Sequence, residues 1–303
     1  MRYIFYHGSC YDGFGAAFAA WMKFGDTDTK YLPASYGKVS IMETAFQKED
    51  EVYIVDYAIP NDEFEELVDL VSKVVVLDHH RTAMDRFTEM HPFPAEGYEL
   101  KKDNVHVIFD MNRSGALISW EYFHPNKPIP KLIQWISDRD LWTFKLPETR
   151  AIHALLTSKK MDFAVWVEWM DALNRTPNLI HKGEAILDVQ AQTVDMICRK
   201  AYITNIDGYM VPIVNATSHW SEVGYKLLEM YPDAEFSASY GDQPDGTRLY
   251  SLRSRTEGIM DVASLALRFG GGGHVHASGF KLPIMLQPSE LSKAPVEQDE
   301  EEE

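Results

Sequence analysis

The sequence predicts an α/β protein of two domains: a parallel-sheet N-terminal domain, a helical linker and a smaller α/β C-terminal domain. Three observations carry this. Short apolar runs alternate with helical patterns over roughly the first 110 residues; a mostly helical stretch follows; and from about residue 205 short strand-like runs return with helices between them. A length of 303 residues suits two domains at about 100–200 residues each.

The strands of the first domain are expected at "RYIFY" (2–6), "KYLPA" (30–34), "VYIVD" (52–56), "VVVLD" (74–78) and "VHVIFD" (105–110). Such continuous apolar runs suit strands buried on both faces, as in a parallel sheet covered by crossover helices. "FGAAFAAWMKF" (14–24) and "DEFEELVDLV" (62–71) are helix candidates between them. From 114 to 202 the chain reads mostly helical, beginning with "SGALISWEYF" and ending in the long "KGEAILDVQAQTVDMICRKAYI". Few breakers interrupt that last run, which is expected to be a linker helix. "MVPIVNA", "EFSASY" and "LYSLRS" are the strands of the second domain. The expected division is 1–180, a linker at 181–204, a second domain at 205–284, and an acidic disordered tail at 285–303.

Composition narrows the function. Two cysteines, Cys10 and Cys198, are too few for a disulfide framework and suit a reducing compartment. No signal peptide or membrane span is evident, so a cytoplasmic protein is expected. The net charge is −17, and the last eight residues, "VEQDEEEE", supply six of the carboxylates, leaving about −11 on the body. A body that acidic argues against a grip on long DNA or RNA, because phosphate neutralisation supplies much of that affinity. A small phosphorylated substrate remains compatible, since bound cations reverse the local field.

The reactive residues gather at strand ends. His7, Cys10 and Asp12 follow strand 2–6, Asp56 ends strand 52–56, and Asp78, His79 and His80 end strand 74–78. In an open parallel sheet the ligand crevice lies beyond the carboxyl ends of the strands. Singly, Asp56 could be a turn residue and His7 a core histidine; a metal site accounts for all three clusters together. "WISDRDLW" (135–142) is a fourth contributor, because carboxylates at a helix C-terminus are disfavoured by the dipole and invite a cation. Pairing of Arg139 with Asp138 or Asp140 is the plainer alternative. Carboxylates and imidazoles with one thiol suit Mn²⁺, Fe²⁺ or Mg²⁺ better than structural zinc. Asp56 is placed to bridge two ions, which together promote in-line phosphoryl displacement by a hydroxide nucleophile.

The second signal is "FGGGGHVHASGF" (269–280), where four glycines can bring backbone N–H groups against a ligand. His274 follows directly, and "SLRSR" places Arg253 and Arg255 at a strand end, where arginine binds phosphate in pairs of hydrogen bonds. A hinge loop is the plainer reading. No Lys-Ser/Thr follows, so this is not a P-loop.

Together, "LDHH", "IVD" and "GGGGH", in that order over about residues 1 to 283, resemble the DHH phosphoesterase family, in the branch with a C-terminal DHH-associated domain. The resemblance implies two domains and two divalent metals, most often manganese. His7, Asp12, Asp56, His79 and Asp138 then look like ligands, with Asp56 bridging and Asp78 supporting His79. His80 would face the scissile phosphate. Arg253, Gly270, Gly271, Gly272, Gly273 and His274 would hold the rest of the substrate. One departure stands out. Many members carry His-x-x-x-Asp-x-Asp at the first motif, whereas "HGSCYDGFG" has Cys10 two residues before Asp12 and a spacing from His7 shorter by one. Cys10 is expected to be a ligand.

The expected function is hydrolysis of phosphodiester or phosphomonoester bonds in short nucleotides: dinucleotides, very short oligonucleotides or adenosine 3′,5′-bisphosphate. The alternative is a non-catalytic nucleotide sensor with a degenerate metal site. A processive exonuclease would want a basic channel and a further nucleic-acid domain, and the pyrophosphatase branch carries a different second domain. Trp142 and Tyr57 are candidates for base stacking or for the core. The 178–202 helix offers an apolar face on which two copies could pair.

Overall fold

The computed structural model describes residues 1–8, 10–35, 40–92, 99–175 and 178–284. The expected tail at 285–303 lies outside the described residues. The chain divides into two compact units, Met1–Leu187 and Asp188–Glu303.

In chain order the first unit comprises β1 (Arg2–His7), α1 (Tyr11–Phe24), β2 (Thr29–Ala34), β3 (Glu51–Val55), α2 (Asn61–Leu70), β4 (Lys73–Asp78), α3 (Arg81–Met90), β5 (Glu99–Lys102) and β6 (Val105–Phe109). The helices α4 (Gly115–Phe123), α5 (Lys131–Asp140), α6 (Thr149–Thr157) and α7 (Phe163–Arg175) follow, and α8 (Asn178–Cys198) begins in this unit. The sheet order is β2-β1-β3-β4-β6-β5. All pairings are parallel except β5 with β6, which is antiparallel.

Strand β4 shows why these runs are apolar throughout. Val75 and Leu77 enter the core shared with α1, α4, α5 and α6, while Val74 and Val76 enter the core shared with α2 and α3. Helices cover both faces, so neither set of alternating side chains meets water. Helix α1 lies close against α4: a Cβ on Gly15 would crowd the Cβ of Ala116. Edge strand β5, "ELKK", was invisible to an apolar-run criterion because three of its four residues are exposed.

The second unit contains the end of α8, then β7 (Tyr202–Ile206), β8 (Tyr209–Asn215), α9 (Trp220–Met230), β9 (Phe236–Asp242), β10 (Thr247–Ser254), α10 (Val262–Leu267), β11 (Gly272–His274) and β12 (Ala277–Pro283). Its order is β11-β12-β10-β9-β8-β7, with β8 and β9 parallel and the other pairs antiparallel. One face carries α10, with Val262, Leu265 and Phe269 packed on Ile213, Ala238, Leu252 and Phe280. On the other, Val194 and Cys198 of α8 join Val214, Val223 and Leu227. The run 182–203 is therefore not one free linker helix. It ends at Cys198, its last turns belong to a core, and the β-branched "YITNI" that follows becomes β7. Asp207 and Gly208, at φ 51° and 89°, close the β7–β8 hairpin as the two-residue loop that favours positive φ.

The glycine run is ordered rather than hinge-like. Gly270, at φ 72°, ends the α10 turn, and Gly271 lies so close to β12 that a Cβ would overlap the carbonyl oxygen of Gly279. Gly272 and Gly273 pair with Gly279 and Ser278. Alanine at Gly270 faces open space and is expected to cost about 1–2 kcal/mol from its left-handed backbone. Alanine at Gly271 meets backbone and is expected to cost more, measured as the shift in urea midpoint at constant m-value. Equal costs would mean that β12 yields freely at this point.

Candidate metal centre

Strands β1, β3 and β4 are parallel neighbours, so their carboxyl ends adjoin. His7 closes β1, Asp56 follows β3, and Asp78 ends β4 with His79 and His80 directly after. Cys10 is the N-cap of α1 but makes no side-chain capping hydrogen bond, and Asp12 sits in that helix's first turn.

Asp56 is the centre. Its backbone is left-handed, φ 51°, a conformation that aspartate tolerates better than most residues. The residue is 1% exposed, and neither buried carboxylate oxygen accepts a hydrogen bond. Ring nitrogens face them instead: His79 Nε2 at 3.1 Å from Oδ1 and His7 Nδ1 at 3.8 Å from Oδ2. Helix α4 begins so close that a Cβ on Gly115 would overlap the Asp56 side chain. Asp12 accepts from the amides of Gly115 and Ala116 at 2.6 and 3.1 Å, bonds that anchor its carboxylate on the α4 N-terminus. His79 Nε2 also lies 3.5 Å from Asp12 and 3.4 Å from Asp140. Single ligand atoms of His7, Cys10 and Asp56, of Asp12, Asp56 and His79, and of Asp56, Asp78 and His80 each lie within 4.8 Å of one another.

This crowding shifts the titrations apart. Burial opposes charge on Asp56, but the close ring nitrogens of His7 and His79 and the charge of His79 and His80 win and hold its carboxyl far below the usual range. Asp12 goes the other way, pushed up by burial and then by Asp56 and Asp140. Asp140 is raised by burial, with Asp56 adding to it and His79 opposing. Burial opposes a charged His79, yet Asp56 and Asp140 push the ring up to about 10. Burial and the same three carboxylates raise the Cys10 thiol well above its ordinary value. Orphaned carboxylate oxygens, a stack of mutually repelling acids and imidazoles in between are a donor set that could hold a divalent cation. The residues fit such an ion.

Two expected roles change. Asp138 does not enter the cluster. Its carboxylate accepts from Thr143 Oγ1 (2.6 Å), the amides of Lys145 and Leu146 (2.8 and 3.0 Å) and Thr149 Oγ1 (2.5 Å), folding the segment after α5 around itself. Asp140, two residues on, is the α5 carboxylate beside His79. The rise of a helix turns i and i+2 to different faces, so "SDRD" offered two acids of which only one could point inward. Asp78, expected behind His79, instead accepts at Oδ1 from His80 Nδ1 over 2.7 Å. Opposed by burial, the Asp78 charge still raises the His80 pKa.

In the second unit Arg253 and His274 pair in register with the same residue, Ala277, from opposite sides of β12. Arg253 donates to Ser251 Oγ, the Leu252 carbonyl and Ser221 Oγ. Arg255 binds the carbonyls of Leu228, Tyr231 and Ala234 and so closes α9. The amides of Gly270 and Gly271 donate to Leu267 and Ala266. Those two N–H groups are committed to the α10 turn, contrary to the expectation that the whole run offers amides to a ligand.

No protein-family model matches the chain. The uncharacterized protein R106 of Acanthamoeba polyphaga mimivirus is 31% identical over 296 residues, which are 91% of this chain and 66% of that protein. The oligoribonuclease NrnB of Bacillus subtilis (strain 168) is 24% identical over 299 residues, 92% of this chain and 72% of that protein. Among solved structures, the DHH domain of a member of the S1p family of ribosomal proteins superposes with a TM-score of 0.55 at 12% identity, covering 92% of this chain and 82% of that one. The chain has the DHH fold. Within that fold, the strand ends carrying "DHH" are those that meet Asp56. Among the described residues no helix is long and apolar enough to cross a membrane.

The contrast between the two α5 carboxylates is measurable. With chelator present, Asp138→Asn is expected to destabilise the protein by about 2–4 kcal/mol, since buried donors lose a charged acceptor. Asp140→Asn is expected to leave stability at neutral pH unchanged or raised, because it removes a crowded carboxylate. The Asp138 pKa is depressed: burial opposes this, but the two threonine hydroxyls and two amides win. Its contribution is therefore present above the ordinary carboxylate range and lost as pH falls through the depressed value. Urea unfolding at pH 7 and pH 3 measures both; equal losses for the two variants would contradict this assignment.

Proposed function

We propose that the chain is a member of the DHH phosphoesterase family that hydrolyses phosphate esters of short nucleotides with two divalent metal ions. The observation that carries this reading is Asp56, a buried carboxylate without hydrogen bonds at the meeting point of His7, Cys10, Asp12, His79 and Asp140. The names of relatives add weight, since one of them is an oligoribonuclease, and the acidic body favours a small substrate over long nucleic acid.

His7, Cys10, Asp12, Asp56, His79 and Asp140 would hold the ions, with Asp56 shared between them. Bound there, two divalent cations would activate water and neutralise charge on the phosphoryl oxygens, a task manganese, iron or magnesium can fill. His80 has Nδ1 committed to Asp78, which fixes the ring and favours its charged form. Nε2 is then the atom that gives a proton to the leaving oxygen. Arg253 and His274, flanking Ala277, would hold substrate remote from the reacting bond, as would Gly272 and Gly273. Cys10 belongs to the site in this reading, which separates it from the sensor alternative: Cys10→Ala abolishes turnover here, whereas a degenerate site would gain turnover with Cys10→Asp.

The first test is product release from a linear dinucleotide, a cyclic dinucleotide, adenosine 3′,5′-bisphosphate and pyrophosphate. Each is given to metal-stripped protein with Mn²⁺, Fe²⁺ or Mg²⁺. Metal-dependent cleavage of one nucleotide, reduced at least about 10²-fold by His79→Ala, is the expected result. Binding without turnover under every metal would remove the enzyme reading.

Metal loading is also expected to release protons, because His79, Asp12, Asp140 and Cys10 all have raised pKa values in the metal-free protein and ligands must be deprotonated. Apparent metal affinity should rise with pH between 6 and 9. A weakly buffered titration with an indicator dye reads the protons directly, and binding without proton release would show that the ion sits elsewhere.

A further inference from the structure

Beside Asp140 lies a group of side chains that the metal centre does not use. Trp142 and Phe144 both have left-handed backbones, φ 56° and 47°, a conformation that bulky residues rarely adopt and that persists only where the surroundings enforce it. Here the enforcement is visible. Asp138 gathers the Thr143 hydroxyl, the Lys145 and Leu146 amides and the Thr149 hydroxyl onto one carboxylate, which fixes every turn of the segment carrying the two rings.

The rings meet edge to face at 4.8 Å. Arg139 lies over Trp142 at 4.2 Å, and Arg150, at the start of α6, lies over Phe144 at 3.5 Å and Trp142 at 5.8 Å. None of the four is buried, and Arg150 is exposed. In a chain of net charge −17, two guanidinium groups stacked on two accessible aromatic rings form a local cationic π-surface. Its position matters as much as its chemistry. Trp142 is two residues after Asp140, whose carboxylate is 3.4 Å from His79, and two residues of chain span at most about 7 Å.

Resting on the reading of the site as a nucleotide phosphoesterase, we infer that Arg139, Trp142, Phe144 and Arg150 form a subsite for the nucleotide unit adjoining the scissile phosphate. The flat faces take its base by stacking, and the guanidinium groups take the negative charge of a phosphate. Every base has a π-face, so such a surface binds without reading sequence, and arginine adds cation–π attraction. A surface built only to cover the loop would need neither held strain nor paired arginines. Asp138 is a positioning residue here: it acts through the loop.

Two measurements on the full chain test this. First, kcat/KM is compared for a linear dinucleotide and for its counterpart lacking both bases. Trp142→Ala is expected to lower the ratio of the two values about tenfold, the size of one lost base stack, while Trp142→Phe keeps most of it. Arg150→Gln is expected to lower both values about tenfold, as for a lost hydrogen bond to a charged group, and to leave the ratio unchanged. A ratio unchanged in Trp142→Ala, or both values unchanged in Arg150→Gln, overturns the subsite. Second, adenosine 5′-monophosphate is titrated calorimetrically into His79→Ala protein with chelator present, which removes catalysis from the readout. Binding weakened at least about tenfold by adding Trp142→Ala supports the subsite; equal binding, or none in His79→Ala itself, overturns it. Should no ester be cleaved, the phosphoesterase reading fails by itself, and this titration still decides whether nucleotide binds here. Arg150→Gln alters an exposed side chain, so its result stands even if Trp142→Ala folds poorly.

Discussion

A carboxylate whose two oxygens are buried and accept no hydrogen bond stays ionised only if positive charge is set against it, and Asp56 is in that position. His79 and His80 supply the charge, and the rest of the first unit is arranged so that they can. The parallel order β1-β3-β4 puts three strand ends side by side. The left-handed turn at Asp56 folds its side chain under the start of α4, and Gly115 leaves the room. Asp12 is tied to the amides of that same helix, so α1, α4 and the sheet converge on a few ångströms of acid and imidazole. Two histidines against this many carboxylates leave a deficit of positive charge that a divalent cation would close.

Much of this was legible in the sequence because burial on two faces writes a continuous apolar run, and the runs of β1, β3 and β4 each stop at a residue of the acid–imidazole cluster. "VYIVD" and "VVVLDHH" mark both the strand and the acids and imidazoles gathered at its end. The edge strand "ELKK" left no such trace, since an exposed four-residue strand is specified by its partner rather than by its own side chains. The segment 182–203 misled for the opposite reason: high helix propensity says nothing about where tertiary packing ends a helix, and the β-branched residues after Cys198 pair with β8.

The site was harder to read where two equivalent residues stood close together. "SDRD" holds two aspartates on a helix end, and composition does not say which one faces His79. The deciding information lies downstream, in Thr143 and Thr149, whose hydroxyls both reach Asp138. Similarly, three adjacent polar residues after β4 allow Asp78 to serve either histidine, and only the backbone path into α3 turns His80 toward it. The four glycines carry a related lesson. Gly270 and Gly271 serve a helix end and a close strand approach, roles that backbone geometry imposes whether or not a ligand is bound.

Cys10 illustrates what such a neighbourhood does to reactivity. The attacking and oxidisable form of cysteine is the thiolate, and burial together with Asp56, Asp140 and Asp12 keeps this sulfur protonated well above neutral pH. Although the residue is only partly covered, its thiol is therefore expected to react slowly with alkylating agents and peroxide. The carboxylates that would draw a cation to the sulfur would then also slow its oxidation to sulfenic acid until that cation arrives.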